Sequence, residues 1–420
     1  MPKPPLHPTD LRGAARLTTD AVLGLTGLVE ALHARITSLP GTPGPAQTGG
    51  LTGLVYKTVR GVTRLAGGSA EALLGWLGTA LLAPEADAAQ AEGHREREAV
   101  IAALNGVLGD HLAATHNPLA IEMALRVDGR TLLLDPAALR ARLPTATPRV
   151  LVLLHGLCMN DLQWQRDGHD LGRTLAQEAG YTPVYLHYNT GLHIADNGQQ
   201  LAALLQRLIQ VWPVPIARLV LLGHSMGGLV ARSALHCAAS QPALRWPALV
   251  SDLVCLGTPH LGAPLERLGH AVDHVLGATP YAAPFARLGT LRSAGITDLR
   301  HGSITAPTAD GAHPTVPLPS RVRCYALAAH LGPATDDLKS RLLGDGLVPV
   351  SSALGQHRDP AKRLHFPPEH RAVVAETGHL ELLSSEGVAG TVVGWLGLAT
   401  RPSAAPDTTQ WSMTAPSQRT

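Results

Sequence analysis

Six short apolar runs, each separated from the next by a stretch of helical character, constrain this chain more than any other feature. They are RVLVLLHG (149–156), TPVYLHYN (182–189), RLVLLGHS (218–225), SDLVCLGTP (251–259), RVRCYALAA (321–329) and RAVVAETGH (371–379). A strand with one wet face alternates polar and apolar residues. These runs are apolar on both faces, which requires cover on both sides. That pattern predicts a mostly parallel sheet with helices on each face. A helix is expected over Gln199 to Val211 with Asn197 as its N-cap. The segment IEMALRVDGRTLLLD (121–135) reads as two short strands around an Asp128-Gly129 turn. With 420 residues, 45% of them hydrophobic, the chain has ample material for such a core.

The termini have a different texture. Residues 1–118 read as a helical region rich in Ala, Leu and Gly, residues 119–398 as the sheet domain, and the polar, Pro-containing 399–420 as a disordered tail. Leu17, Ala21, Leu25, Leu28, Leu32 and Ile36 fall on one helical face. A breaker-rich linker runs from Pro40 to Gly50, and a second helix follows from Leu51 with Lys57, Arg60 and Arg64 on a basic face. The apolar run EALLGWLGTALLAP (71–84) is too short to cross a bilayer. Two readings compete: a helical layer packed on the sheet domain, or a peripheral membrane contact with the basic face toward anionic headgroups. No secretory signal and no spanning segment is evident, so a cytoplasmic location is expected.

A parallel sheet builds its sites beyond the carboxyl ends of its strands. There, Gly223-His224-Ser225-Met226-Gly227 fits G-x-S-x-G, the nucleophile elbow, with a strand before it and a helix after it. The elbow strains the backbone at Ser225, and Gly223 and Gly227 leave room for the chain to cross itself. Taken alone the motif is common, and a plain Gly-rich strand-to-helix turn would match it. The flanking strand and helix are what give it meaning.

A serine hydroxyl needs a base, an acid to orient the base, and an oxyanion site. Of the 21 histidines, His379 follows the last strand-like run on the carboxyl side, whereas His365 and His370 lie at or before the start of that strand. Asp345, between glycines in GDGLVPVSSALG, follows the preceding strand. Its rivals, Asp336 and Asp337, read more simply as a helix start. The order Ser225, Asp345, His379 is the one expected of α/β-hydrolases. The oxyanion donors are expected to be the backbone N–H groups of Met226 and Leu157, the latter in the loop after the first run. His155, in that loop, reads as a shaping residue and not a proton carrier.

Taken together, LLHGLCMND, GHSMGGLVAR, LGTPHLGAPLE, GDGLVPVSSALG and TGHLELL resemble bacterial α/β-hydrolase lipases. The subgroup they look most like is the PGAP1-like one, compared with GPI inositol-deacylases, and YNTGLHIADNGQQLAALL (188–205) is similar to it as well. The resemblance covers about residues 121–398. It implies an α/β-hydrolase fold, serine ester hydrolysis through an acyl-enzyme with Ser225, Asp345 and His379 as the triad, and a place in lipid metabolism. It also implies a cap over the acyl pocket, for which residues 261–320 are the candidate, with a static insertion as the plainer reading. Some lipases of the wider group hold a structural calcium, but no carboxylate cluster here demands one. It does not carry over a GPI substrate, because site chemistry transfers between relatives better than specificity.

A net charge of +2 with dispersed signs and 3% aromatic residues gives no nucleic-acid footprint. Cys158, Cys237, Cys255 and Cys324 match no metal knuckle or disulfide framework, so buried free thiols are expected. No cofactor and no metal is called for. The expected substrate is an ester or lipid. An acyltransferase using the same triad, and a catalytically silent lipid-binding or scaffold protein, remain alternatives.

Overall fold

The computed structural model describes residues 88–264, 293–308, 313–333 and 343–397, with Arg12, Gly13 and Arg16. The helical face of Leu17 to Ile36, the basic stripe, the Asp336-Asp337 pair, most of the 261–320 segment and the 399–420 tail lie outside them. Helix α1 spans Ala88–Ala114. Strands β1 (Ala124–Val127) and β2 (Arg130–Thr131) form the expected hairpin, with Asp128 and Gly129 at φ 51° and 71° in its two-residue turn. Helix α2 (Pro136–Arg142) leads into β3 (Arg149–Leu154). A small hairpin of β4 (Gln165–Arg166) and β5 (His169–Asp170) precedes α3 (Leu171–Ala179) and β6 (Thr182–His187). Then come α4 (Ile194–Val211), β7 (Arg218–His224), α5 (Met226–Ala239), β8 (Val250–Leu256) and α6 (Ala294–His301). Strand β9 (Arg323–Ala329), α7 (Val350–Ala353), β10 (Arg371–Val374) and α8 (Glu386–Gly397) complete the order.

Eight strands form one sheet in the order β10-β9-β8-β7-β3-β6-β1-β2. Pairing is parallel from β10 to β6, and β1 and β2 add antiparallel. The double-sided cover follows from the two-residue period of a strand. In β3, Val150, Val152 and Leu154 enter a core shared with Leu201 and Leu205 of α4 and Leu229 and Val230 of α5. Leu151 and Leu153 enter the opposite core, shared with Leu171 and Leu175 of α3 and Val388 and Val392 of α8. Each such leucine is fully buried, worth about 1.5–3 kcal/mol of transfer free energy. A polar residue at any of positions 150–154 would therefore be stranded, whereas Arg149, at the entry of the strand, reaches the Ala179 carbonyl at 2.8 Å. This is the mostly parallel sheet, covered by helices on both faces, that the apolar runs imply.

Helix α4 corrects one expectation. It starts at Ile194, five residues before Gln199, and Asn197 lies inside it and is buried. The Asn197 amide donates to the Asn189 carbonyl at 2.9 Å instead of capping the helix. Asp298 does the capping from α6: its Oδ2 accepts the Ile194 N–H at 2.9 Å and the His193 Nδ1–H at 3.0 Å. A carboxylate there also complements the helix dipole. The cap comes from 104 residues away, so no local signal marks it.

At the amino edge of the sheet the fully buried Asp252 is held by Arg218 at 2.7 Å and Arg323 at 3.1 Å. This ion cluster is structural and sits at the opposite edge from the site. Of the cysteines, Cys158, Cys255 and Cys324 are buried free thiols, each pushed up to about 12 by burial, and Cys237 is a half-buried free thiol.

Candidate active site

Because β3, β7, β8, β9 and β10 run parallel, the loops at their carboxyl ends meet at one edge. Ser225 follows β7 directly. Its φ of 53° and ψ of −122° lie where only glycine is at ease. The strain is held from several sides. The Ser225 N–H donates to the Leu256 carbonyl of β8 at 2.8 Å. A Cβ on Gly227 would overlap the Leu154 carbonyl, and one on Gly223 would overlap the backbone of Gly228. The two glycines flanking the serine are thus there for close backbone approach, as the motif implies. Met226 opens α5, so its N–H is one of the helix-end donors that have no partner one turn back.

Asp345 and His379 come from the loops after β9 and β10. Their backbones are tied: the His379 N–H donates to the Asp345 carbonyl at 3.0 Å. Their side chains are tied as well, His379 Nδ1 donating to Asp345 Oδ2 at 2.7 Å. The other carboxylate oxygen accepts the N–H groups of Leu347 at 3.0 Å and Val348 at 2.8 Å. Burial pushes the Asp345 carboxyl up, but the His379 partner and those two N–H groups outweigh it and hold it below the usual carboxylate range. An ionised Asp345 fixes the proton on His379 Nδ1 and leaves Nε2 as the acceptor.

Ser225, Asp345 and His379 line one cavity of about 560 Å³. Leu157 lines it too, in the loop after β3, and apolar side chains such as Leu299, Leu347, Val348 and Leu380 make up much of the remaining wall. The structure thus brings the predicted serine, acid and histidine together with both candidate oxyanion segments. His365 lies well before the cavity-lining loop, and His370 precedes β10 at the wrong end of the strand. His155 is fully buried, with Nδ1 on the Gly156 carbonyl at 3.0 Å and a pKa lowered to about 3, chiefly by burial. That suits a loop-shaping residue.

One residue escaped the sequence reading although it stands inside the motif. His224, the variable position of G-x-S-x-G, is fully buried beneath the site. Its Nε2 donates to the His379 carbonyl at 2.9 Å, and its ring lies 4.7 Å from the His379 ring. Burial, then the neighbouring His379, lowers its pKa to about 3. A neutral ring with the proton on Nε2 therefore ties the nucleophile elbow to the base-bearing loop. Motif matching assigns this position no role, so nothing local marks it.

Residues 146–305 match the family model of the PGAP1-like alpha/beta domain. The matched stretch runs from the entry of β3 past α6, so it holds Leu157 and Ser225, while Asp345 and His379 lie beyond it. Among solved structures, the mature lipase BlEst2 of Bacillus licheniformis is 21% identical over 60% of this chain and 93% of its own, with a TM-score of 0.41. The Staphylococcus hyicus lipase is 12% identical over 60% of this chain and 96% of its own, with a TM-score of 0.36. The Pyrococcus furiosus esterase Pf2001 is 15% identical over 60% and 81%, with a TM-score of 0.35. No curated protein matches the chain by sequence.

Among the described residues, no group of three or more His, Cys, Asp or Glu side chains could hold a metal ion. No helix among them is long and apolar enough to cross a membrane.

Proposed function

We propose that the chain is a serine carboxylic-ester hydrolase acting on acyl esters of lipids. One observation carries this reading: Ser225, strained at the start of α5, shares a cavity with a His379 whose Nδ1–H is committed to Asp345. In the proposed reaction the Ser225 oxygen attacks the ester carbonyl carbon while its proton passes to His379 Nε2. The Leu157 and Met226 N–H groups receive the negative oxygen. The tetrahedral species collapses as the carbon–oxygen bond to the alcohol breaks, and His379 returns the proton to the leaving alkoxide. Water then attacks the acyl-serine by the same route in reverse and releases the acid. Asp345 stays ionised throughout, orienting the imidazole and stabilising its charged form. The apolar wall of the cavity suits an acyl chain.

The test is labelling by a fluorophosphonate probe together with a screen of p-nitrophenyl esters of increasing chain length. Wild-type protein should label at Ser225 and hydrolyse esters, and Ser225→Ala should do neither while keeping its melting temperature. Turnover by Ser225→Ala at the wild-type rate would end the reading. An added alcohol acceptor in the same assay separates hydrolysis from acyl transfer by its product.

A further inference from the structure

Helix α1 lies outside the stretch matched by the family model, yet it docks on the loops that form the site. Its face around Gly106 and Gly109 approaches so closely that no side chain fits. A Cβ on Gly106 would overlap Cys158 Sγ and come within 3.0 Å of Cys158 Cα. A Cβ on Gly109 would overlap the Asn189 side chain. Hydrogen bonds lock the contact. Asn189 Nδ2 donates to the Gly109 carbonyl at 2.9 Å, and Ser293 Oγ donates to the Gly106 carbonyl at 2.7 Å. Asp110 Oδ2 accepts the Ala294 N–H, the first of α6, at 2.9 Å. Ala103, Leu104, Val107 and Leu108 of α1 form a separate core with Cys158, against which Leu157 packs.

What α1 holds is the segment that carries one oxyanion donor. Cys158 stands at φ 59°, a left-handed conformation that a cysteine keeps only when its surroundings enforce it. Its N–H donates to Thr190 Oγ1 at 3.1 Å, beside the Asn189 that α1 also grips. The Leu157 N–H belongs to the preceding peptide, from Gly156, so Cys158 acts on it one residue removed: pinning Cys158 fixes the path of the chain at Leu157 and, with it, where that N–H can point. Within the loop the Met159 N–H donates to the Gly156 carbonyl at 3.3 Å, closing a turn with Cys158 at its left-handed third position. From outside the loop the conformation is held by α1 and by Thr190.

We propose that α1 is a positioning element of the active site: by seating Gly106 on Cys158 and Gly109 on Asn189 it fixes the loop that presents the Leu157 N–H to the oxyanion. The role assigned to that N–H rests on the hydrolase reading above. The hold of α1 on the loop does not, so the two can fail separately.

The experiment is a double-mutant cycle in the full-length chain that moves one side-chain atom across the contact. Gly106→Ala forces the faces apart, Cys158→Ala leaves them loose by removing Sγ alone, and Gly106→Ala/Cys158→Ala puts the new methyl beside the place that Sγ vacates. Two quantities are read for each: hydrogen exchange of the amides of residues 157–159, and kcat and KM for a p-nitrophenyl ester. Both single variants should exchange faster there and lose roughly ten- to a hundred-fold in kcat at little changed KM, since a misaimed donor acts on the transition state. The double variant should recover both. Loop exchange as slow as wild type in the single variants, or losses that simply multiply in the double variant, would overturn the proposal. Should Gly106→Ala fail to fold, Cys158→Ala alone decides, because unchanged kcat and exchange in it would also overturn the proposal. Should the wild type prove inactive, the hydrolase reading falls, and the exchange cycle still decides for or against the clamp.

Discussion

Acid should destabilise this protein well above the pH at which its carboxylates protonate, and His224 lets that be measured one proton at a time. In the unfolded chain the ring titrates at its ordinary value near 6.5, whereas in the fold burial and the neighbouring His379 lower it to about 3. A group whose folded pKa is depressed contributes stability that is whole above 6.5 and is lost as pH falls toward 3, because only the unfolded state takes up the proton in between. From pH 7 to pH 5 the loss is about 1.4 kcal/mol per unit over the 1.5 units below 6.5, or about 2 kcal/mol. His155, also lowered to about 3, adds a similar amount, and His260, lowered well below its ordinary value by burial and then by Arg232, acts in the same direction. Asp345 does not contribute in this window, since its depressed carboxyl gives up stability only below its ordinary value of 3.8.

The assay is urea unfolding of wild type and His224→Gln at pH 7 and pH 5. Glutamine removes the titration but keeps an N–H donor for the His379 carbonyl. The drop in unfolding free energy on acidification should be smaller in the variant by about 2 kcal/mol. Equal drops in the two proteins would mean that His224 takes up its proton in the folded state as readily as in the unfolded one. The buried, neutral ring that joins the elbow to the base-bearing loop would then be wrong.

Three further outcomes check other parts of the structure. Gly227→Ala should abolish activity, and expression of folded protein with it, because the methyl overlaps the Leu154 carbonyl; Gly390→Ala in α8, where a Cβ meets nothing within 4 Å, should leave activity intact and raise the melting temperature. Asp345→Asn should lower kcat by up to about 10⁴-fold with little change in KM, through the wrong histidine tautomer, and His379→Ala should abolish turnover while His365→Ala and His370→Ala keep it; the steady-state kinetics of the four decide. Arg218→Met should cost about 1.5–3 kcal/mol in urea unfolding by taking one of two arginine partners from the buried Asp252, which keeps Arg323, yet leave kcat unchanged, since that cluster lies at the far edge of the sheet.

What could be read from the sequence, and what could not, divides along one physical line. A strand covered on both faces must be apolar wherever no ion partner reaches it, whatever covers it, so Val150 to Leu154 and Leu219 to Leu222 declare themselves without knowledge of their partners. The elbow declares itself for a related reason: Gly223 is imposed by the backbone of Gly228 five residues on, and although Gly227 is imposed by the Leu154 carbonyl of β3, its place in the motif marks it. Strand ends then sort the histidines, because a parallel sheet places all its useful loops on one edge. Features fixed by distant chain leave no such mark. The cap of α4 is supplied by Asp298, which frees Asn197 for another bond and makes its local signal misleading. Gly106 and Gly109 look like ordinary helix-weakening glycines until Cys158 and Asn189 are seen against them. The change of texture near residue 118 is real as composition, yet the Ile121 N–H donates to Asn105 Oδ1 at 2.9 Å, and that amide donates to the Leu119 carbonyl at 2.7 Å. Composition changes there because a helix gives way to a sheet, and the hydrogen bonds of Asn105 cross the change because the chain turns back along α1 on its way to β1.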